Sequence, residues 1–110
     1  MYKGTTPTVP ITIHGSDLTN AKVFLTFQWG QNGEQITLTT PNDFTLTYNS
    51  EKNQMEGNVS LTQVQTLAMD SGDCAAQVRF VFPDGSSGAT KKSKFVINDV
   101  LFKDVISYDE

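Results

Sequence analysis

A period-two alternation of apolar and polar residues runs through almost the whole chain, and it constrains the fold more than any other feature. Successive side chains of a strand point to opposite faces, so this pattern describes strands with one buried face. Val9, Ile11 and Ile13 mark a first strand over Thr8 to His14, opposite Thr8, Pro10 and Thr12. Pro10 has no N–H to donate, which places that strand at a sheet edge or a bulge. Gly15-Ser16-Asp17 breaks it. A second strand, Lys22 to Trp29, turns Val23, Leu25, Phe27 and Trp29 inward and Lys22, Thr26 and Gln28 outward. Phe24 violates the alternation, and an exposed Phe at that place would mark a contact surface.

Turn signals separate the remaining rows. Gly30-Gln31-Asn32-Gly33 reads as a hairpin, because Asn-Gly tolerates the positive φ angles of tight turns. The strand after it, Glu34 to Thr40, buries Ile36 and Leu38. Pro41-Asn42-Asp43 turns the chain before an inward row of Phe44, Leu46 and Tyr48. A polar turn over 49–53 leads to Met55, Gly57, Val59 and Leu61. At Thr62 the period changes: Val64, Leu67 and Ala68 have helical spacing for one or two turns, with Thr62 as N-cap. Such a helix commonly carries the chain from one sheet to the other. From Cys74 to Phe82 the strand pattern resumes, with Cys74, Ala76, Val78, Phe80 and Phe82 inward. Residues 83–88 read as a hairpin loop, and Lys91 to Asn98 as the last long strand, with Phe95 and Ile97 inward. The tail, Val100 to Ile106, is apolar enough to add a short strand or to meet a partner.

About seven or eight short strands with one helical crossover near 62–69 predict an all-β, Greek-key β-sandwich. With 110 residues and no internal repeat or linker, a single domain over 1–110 is expected. A net charge of -4 disfavours a phosphate-binding face, so no nucleic acid is expected as a partner. No apolar run reaches spanning length and the opening residues carry no signal-type segment, so no membrane partner is expected either.

The chemistry-bearing residues are few. The one histidine, His14, ends an edge strand, where a solvated or turn-capping role is the default. Cys74, the one cysteine, excludes an internal disulfide and heads an inward row, as a small buried hydrophobe would. Asp70 and Asp73 beside it disfavour a thiolate. Asp70, Asp73, Asp84 and Asp99 fall in expected turns, where Asp bonds the local backbone. A calcium site would draw first on Asp70-Ser71-Gly72-Asp73, but the calcium-loop pattern is missing. Trp29 and Tyr48 lie on inward rows, as core residues do. Lys91-Lys92-Ser93-Lys94 reads as a solvated strand edge that discourages aggregation. Asn58-Val59-Ser60 matches a glycosylation triplet. No catalytic, cofactor-binding or metal-binding residues are therefore expected, and no cofactor.

Two resemblances add to this reading. Residues 70–76, Asp-Ser-Gly-Asp-Cys-Ala-Ala, resemble the Asp-x-Gly-x-Tyr-x-Cys corner of immunoglobulin-like domains. Cys74 stands where that family has its corner Tyr, and Ala76 where it has the bridging Cys, so neither the corner hydrogen bond nor the disulfide is carried over. The chain as a whole resembles small tail-region proteins of phages and prophages of Gram-positive bacteria. The matching segments are Gly4 to Thr8, Val23 to Gln28, Val59 to Gln63, Gly72 to Arg79 and Phe95 to Leu101. It is also similar to the N-terminal domain of the upper baseplate protein of lactococcal phages. This resemblance implies an immunoglobulin-like sandwich and a non-enzymatic virion component of the tail or baseplate. It further implies assembly in the host cytoplasm, contacts with other tail or baseplate proteins, and a homo-oligomer. Two other classes stand beside it: a cell-surface carbohydrate- or protein-binding module for receptor recognition, and an enzyme built on His14 or Cys74.

Overall fold

A computed structural model describes residues 1–15, 17–30 and 33–108. The strands, in chain order, are β1 (Thr8–His14), β2 (Lys22–Trp29), β3 (Glu34–Thr39), β4 (Leu46–Asn49), β5 (Gln54–Ser60), β6 (Gly72–Val81), β7 (Ser87–Ala89) and β8 (Ser93–Ile97). One helix, α1 (Gln63–Ala68), separates β5 from β6. The chain is therefore all-β, and its strands form two antiparallel sheets. One has the order β1-β5-β4; the other has the order β3-β2-β6-β7, with β8 also paired to β6. The expected break at Gly15-Ser16-Asp17 and the hairpin signal Gly30-Gln31-Asn32-Gly33 each include positions outside the described residues.

The alternation places the core where the rows predicted it. Ile11, Ile13, Met55 and Val59 of the first sheet join Val23, Leu25, Phe27, Trp29, Leu38, Cys74, Val78 and Ile97 of the second in one apolar cluster. Each Val, Leu, Ile or Phe so buried contributes about 1.5–3 kcal/mol. Leu18 and Phe44, from connections rather than strands, complete the same cluster. Among the described residues β1 pairs with β5 alone, at the sheet edge, which suits Pro10.

The helix crosses between the sheets as expected, but its buried face differs. Thr62 caps it: its hydroxyl accepts from the Gln65 N–H at 3.1 Å, and Gln65 Oε1 accepts from the Thr62 N–H at 2.8 Å. This reciprocal pair is a capping box. Thr66 and Met69, both at 0% exposure, form the inward side, while Val64 and Ala68 face solvent and Leu67 is half-buried. Thr66 can be buried because its hydroxyl donates to the Thr5 carbonyl at 2.9 Å. That bond also ties the chain's opening segment to α1.

Several boundaries also move. Ser87 and Gly88 belong to β7 rather than to a loop, and the last strand begins at Ser93 rather than Lys91. Between Ala76↔Ser93 and Arg79↔Ala89, three steps on β6 face four on its partner. The extra residue is a β-bulge, and Thr90 repairs the ladder across it. Its N–H donates to the Val78 carbonyl at 2.9 Å, and its hydroxyl accepts from the Val78 N–H at 3.1 Å. Phe44 is buried although it precedes β4. The tail makes no strand among its described residues 99–108.

Candidate contact groove

The two sheets do not close equally on their two sides. Where β1 lies opposite β7 and β8, an apolar groove of about 930 Å³ opens between the layers. Val9, Ile11 and Ile13 of β1 form one wall, and Ala76 and Phe80 of β6 with Phe95 of β8 form the other. Its floor is tight: Phe27, at 1% exposure, meets the Phe95 ring edge to face, with centroids 6.0 Å apart. Val9, Ala76, Phe80 and Phe95 are half-buried and form the reachable apolar surface. Phe80 sits low because Gly88 lies under it; a Cβ at Gly88 would come 2.6 Å from the end of the Phe80 ring.

Backbone edges also face this opening. β1 uses its odd residues toward β5, since the Pro7 carbonyl accepts from Leu61 and the Gly15 N–H donates to Asn53. Alternation then turns the backbone groups of Thr8, Pro10, Thr12 and His14 away from β5, to the free edge. Pro10 contributes no donor there. On the opposite layer, the chain's first residues partly cover β8. Tyr2 forms a parallel bridge with Asn98, and the Met1 amino group donates to the Val96 carbonyl at 3.1 Å. Met1 thereby becomes part of the groove lining.

The charge of the rim has one sign. Among the described residues lining the groove, the ionisable side chains are His14, Lys91 and Lys94. The basic run read as a solvated edge thus supplies two residues of a concave surface. Lys91 enters through the bulge, a feature that no alternation pattern records.

Cys74 is apart from this groove. It is 3% exposed, opposite Trp29 on one side and Phe95 on the other. Burial pushes its thiol up from the ordinary value, so the thiol form is favoured by desolvation and not by the neighbouring acids expected to act. His14, at the far end of β1, is exposed.

The acids do not gather. Among the described residues, no three His, Cys, Asp or Glu side chains are placed to hold a metal ion. Asp73 lies within β6, paired with Val96, and not in a turn as expected. Asp84 is a turn residue: its carboxylate accepts from the Ser86 N–H at 2.8 Å and the Ser86 hydroxyl at 2.6 Å, which holds its pKa low. The carboxylate of Asp99 lies 3.1 Å from the Lys103 ammonium and is likewise lowered, first by that partner.

Nor do the aromatics form a platform. Trp29 is 5% exposed, and its indole N–H is buried without a partner among the described residues. Tyr48 belongs to the other sheet and donates to Asn53 at 2.6 Å. Phe24 is half-buried on the outer face, with the Lys22 ammonium 5.7 Å from its ring centroid. That cation covers part of the surface expected to be free.

No protein-family profile matches this chain, and no curated protein matches it in sequence.

Proposed function

We propose that this chain is a non-enzymatic structural protein of a phage or prophage virion, a component of the tail or baseplate that acts through protein–protein contacts. The observation that carries the reading is the groove: strand edges and half-buried apolar side chains face outward together on one side of the sandwich. Such a surface suits polypeptide, because it offers apolar pockets beside unpaired backbone groups. The resemblance to tail-region proteins supplies the biological setting, with assembly in the host cytoplasm and a final place in the virion. Its partners are other tail or baseplate proteins and further copies of itself.

On this reading the sandwich is immunoglobulin-like. The chain changes sheet between β1 and β2, between β3 and β4, and again through α1 between β5 and β6. These are the exchanges a Greek key requires. The corner segment 70–76 would then serve as the entry to β6 without its Tyr and Cys.

Mass spectrometry of purified particles from a strain carrying the gene tests the role. The expected result is this chain among the tail proteins, in stoichiometric amount. Particles complete in their other tail proteins but lacking it would overturn the proposal.

A further inference from the structure

Beyond a general contact role, and resting on that reading, we infer that the groove receives the C-terminal segment of a second copy of this chain. Three observations converge on that occupant. The first is the segment's exposure: Leu101 is 104% exposed, Phe102 65%, Val105 52% and Ile106 56%. Large apolar side chains so exposed in one short stretch mark a contact surface.

The second is spacing. In a helical turn, a conformation the segment lacks in the free chain, residues 101, 102, 105 and 106 would share one side, with Lys103, Asp104 and Ser107 opposite. An amphipathic turn docks by its side chains and needs no continuous backbone ladder. That is the mode the groove favours, since Pro10 interrupts the donors of the free β1 edge. Leu101, Phe102, Val105 and Ile106 thus meet Val9, Ala76, Phe80 and Phe95.

The third is charge. The segment from Asp99 to the end carries Asp99, Asp104, Asp109 and Glu110 against one Lys103. The rim it would meet carries His14, Lys91 and Lys94, all bases. Opposite fields orient the segment and exclude the reversed pairing of like surfaces.

The chain's own tail is held elsewhere. Gln63 donates to the Ile106 carbonyl at 3.0 Å and accepts from the Ile106 N–H at 2.9 Å, which pins the tail to the start of α1. Gln63 does not line the groove. The junction therefore joins two copies. If two copies exchange tails the assembly is a two-fold dimer; if each tail enters the next copy the contact is heterologous, and repetition gives a ring where the rotation closes.

The test uses the full chain and only exposed positions. Light scattering on a sizing column, over a concentration series, reads the mass of three proteins: the parent, Phe102→Asp with Ile106→Asp, and Lys91→Glu with Lys94→Glu. Circular dichroism confirms that all three are folded. The parent is expected to associate and the tail variant to be monomeric. The rim variant should associate about tenfold more weakly, as two lost ion pairs predict. Mixing the two variants should give a two-chain species, because one supplies an intact groove and the other an intact tail. A monomeric parent, a tail variant that associates like the parent, or a mixture that stays monomeric would each overturn the inference. A monomeric parent that is nonetheless found in particles would sink this junction and leave the structural role standing. Absence from particles with the junction intact would do the reverse.

Discussion

The β3–β4 side of the sandwich and the β1–β8 side are built from the same kind of strand, yet the first opens over only about 360 Å³, beside Leu18, Pro41 and Leu46, and the second over about 930 Å³. On the β3–β4 side, the connections turn inward: Leu18, before β2, is 2% exposed and Phe44, before β4, is 5% exposed. Backbone also packs closely there. A Cβ on Gly57 would lie 2.5 Å from the Thr45 carbonyl oxygen and 2.7 Å from a Leu46 methyl. On the β1–β8 side, the chain contributes Met1 to Lys3 along β8, and the groove remains beside them. What closes a two-layer fold is therefore its connections rather than its strands. A side left without an inward connection is where a second molecule can complete the core.

Phe44 and Phe95 expose the contrast most strongly. Phe44→Ala removes a plug that nothing else replaces and should cost about 3–4 kcal/mol. Phe95→Ala truncates a half-buried ring whose other side already faces the groove, so about 1–2 kcal/mol is expected. Urea denaturation of the two variants, with unchanged m-values, measures both. Equal losses would erase the distinction between the sides.

The glycines make the same comparison at smaller scale. Gly57→Ala drives a methyl into the Thr45 backbone carbonyl, which cannot swing away, and should cost about 1–3 kcal/mol. Gly88→Ala meets the far end of the Phe80 ring, a side chain with open space beside it in the groove. That ring can move, and the loss should stay below about 1 kcal/mol. If Gly88→Ala proved the costlier change, the groove wall would be as rigid as the β4–β5 ladder.

The strands of this chain were legible because alternation is a local record of burial. β1 and β2 have the limits their apolar rows predict, and Pro10 marks its strand as an edge. The groove was not legible, because it arises between strands distant in sequence. Val9 and Phe80 read as ordinary inward residues; only the pairing order shows that both line an open groove. The helix misled for a different reason. Val64 is apolar and Thr66 polar, so spacing alone turns Val64 inward, whereas the Thr5 carbonyl makes burial of Thr66 possible. A hydrogen bond across 61 residues leaves no trace in local periodicity. Lys91 and Lys94 likewise read as a solvated run, whereas both line the groove, Lys91 beside the bulge at Thr90 and Lys94 on β8.

The smallest effect expected is electrostatic, and it separates the sandwich from its exposed tail. Glu56, in the β4–β5 ladder, accepts from Asn49 Nδ2 at 2.9 Å and from Gln54 Nε2 at 3.0 Å. Those two bonds, Asn49 first, hold its carboxyl below the ordinary value. A carboxyl depressed in the folded state stabilises above its unfolded pKa, and that contribution disappears as pH falls through the folded pKa. Stability should therefore be level from neutral pH down to about 5 and decline below about 4, where unfolded carboxylates take up protons first. Glu56→Gln should flatten part of that decline in urea titrations at several pH values. Asp99→Asn, at the start of the exposed tail, should leave the acid limb of folding almost unchanged. Its carboxyl is lowered as well, but by Lys103 within the same exposed segment, outside the core cluster. A larger response at Asp99 than at Glu56 would mean that the tail is part of the cooperative unit.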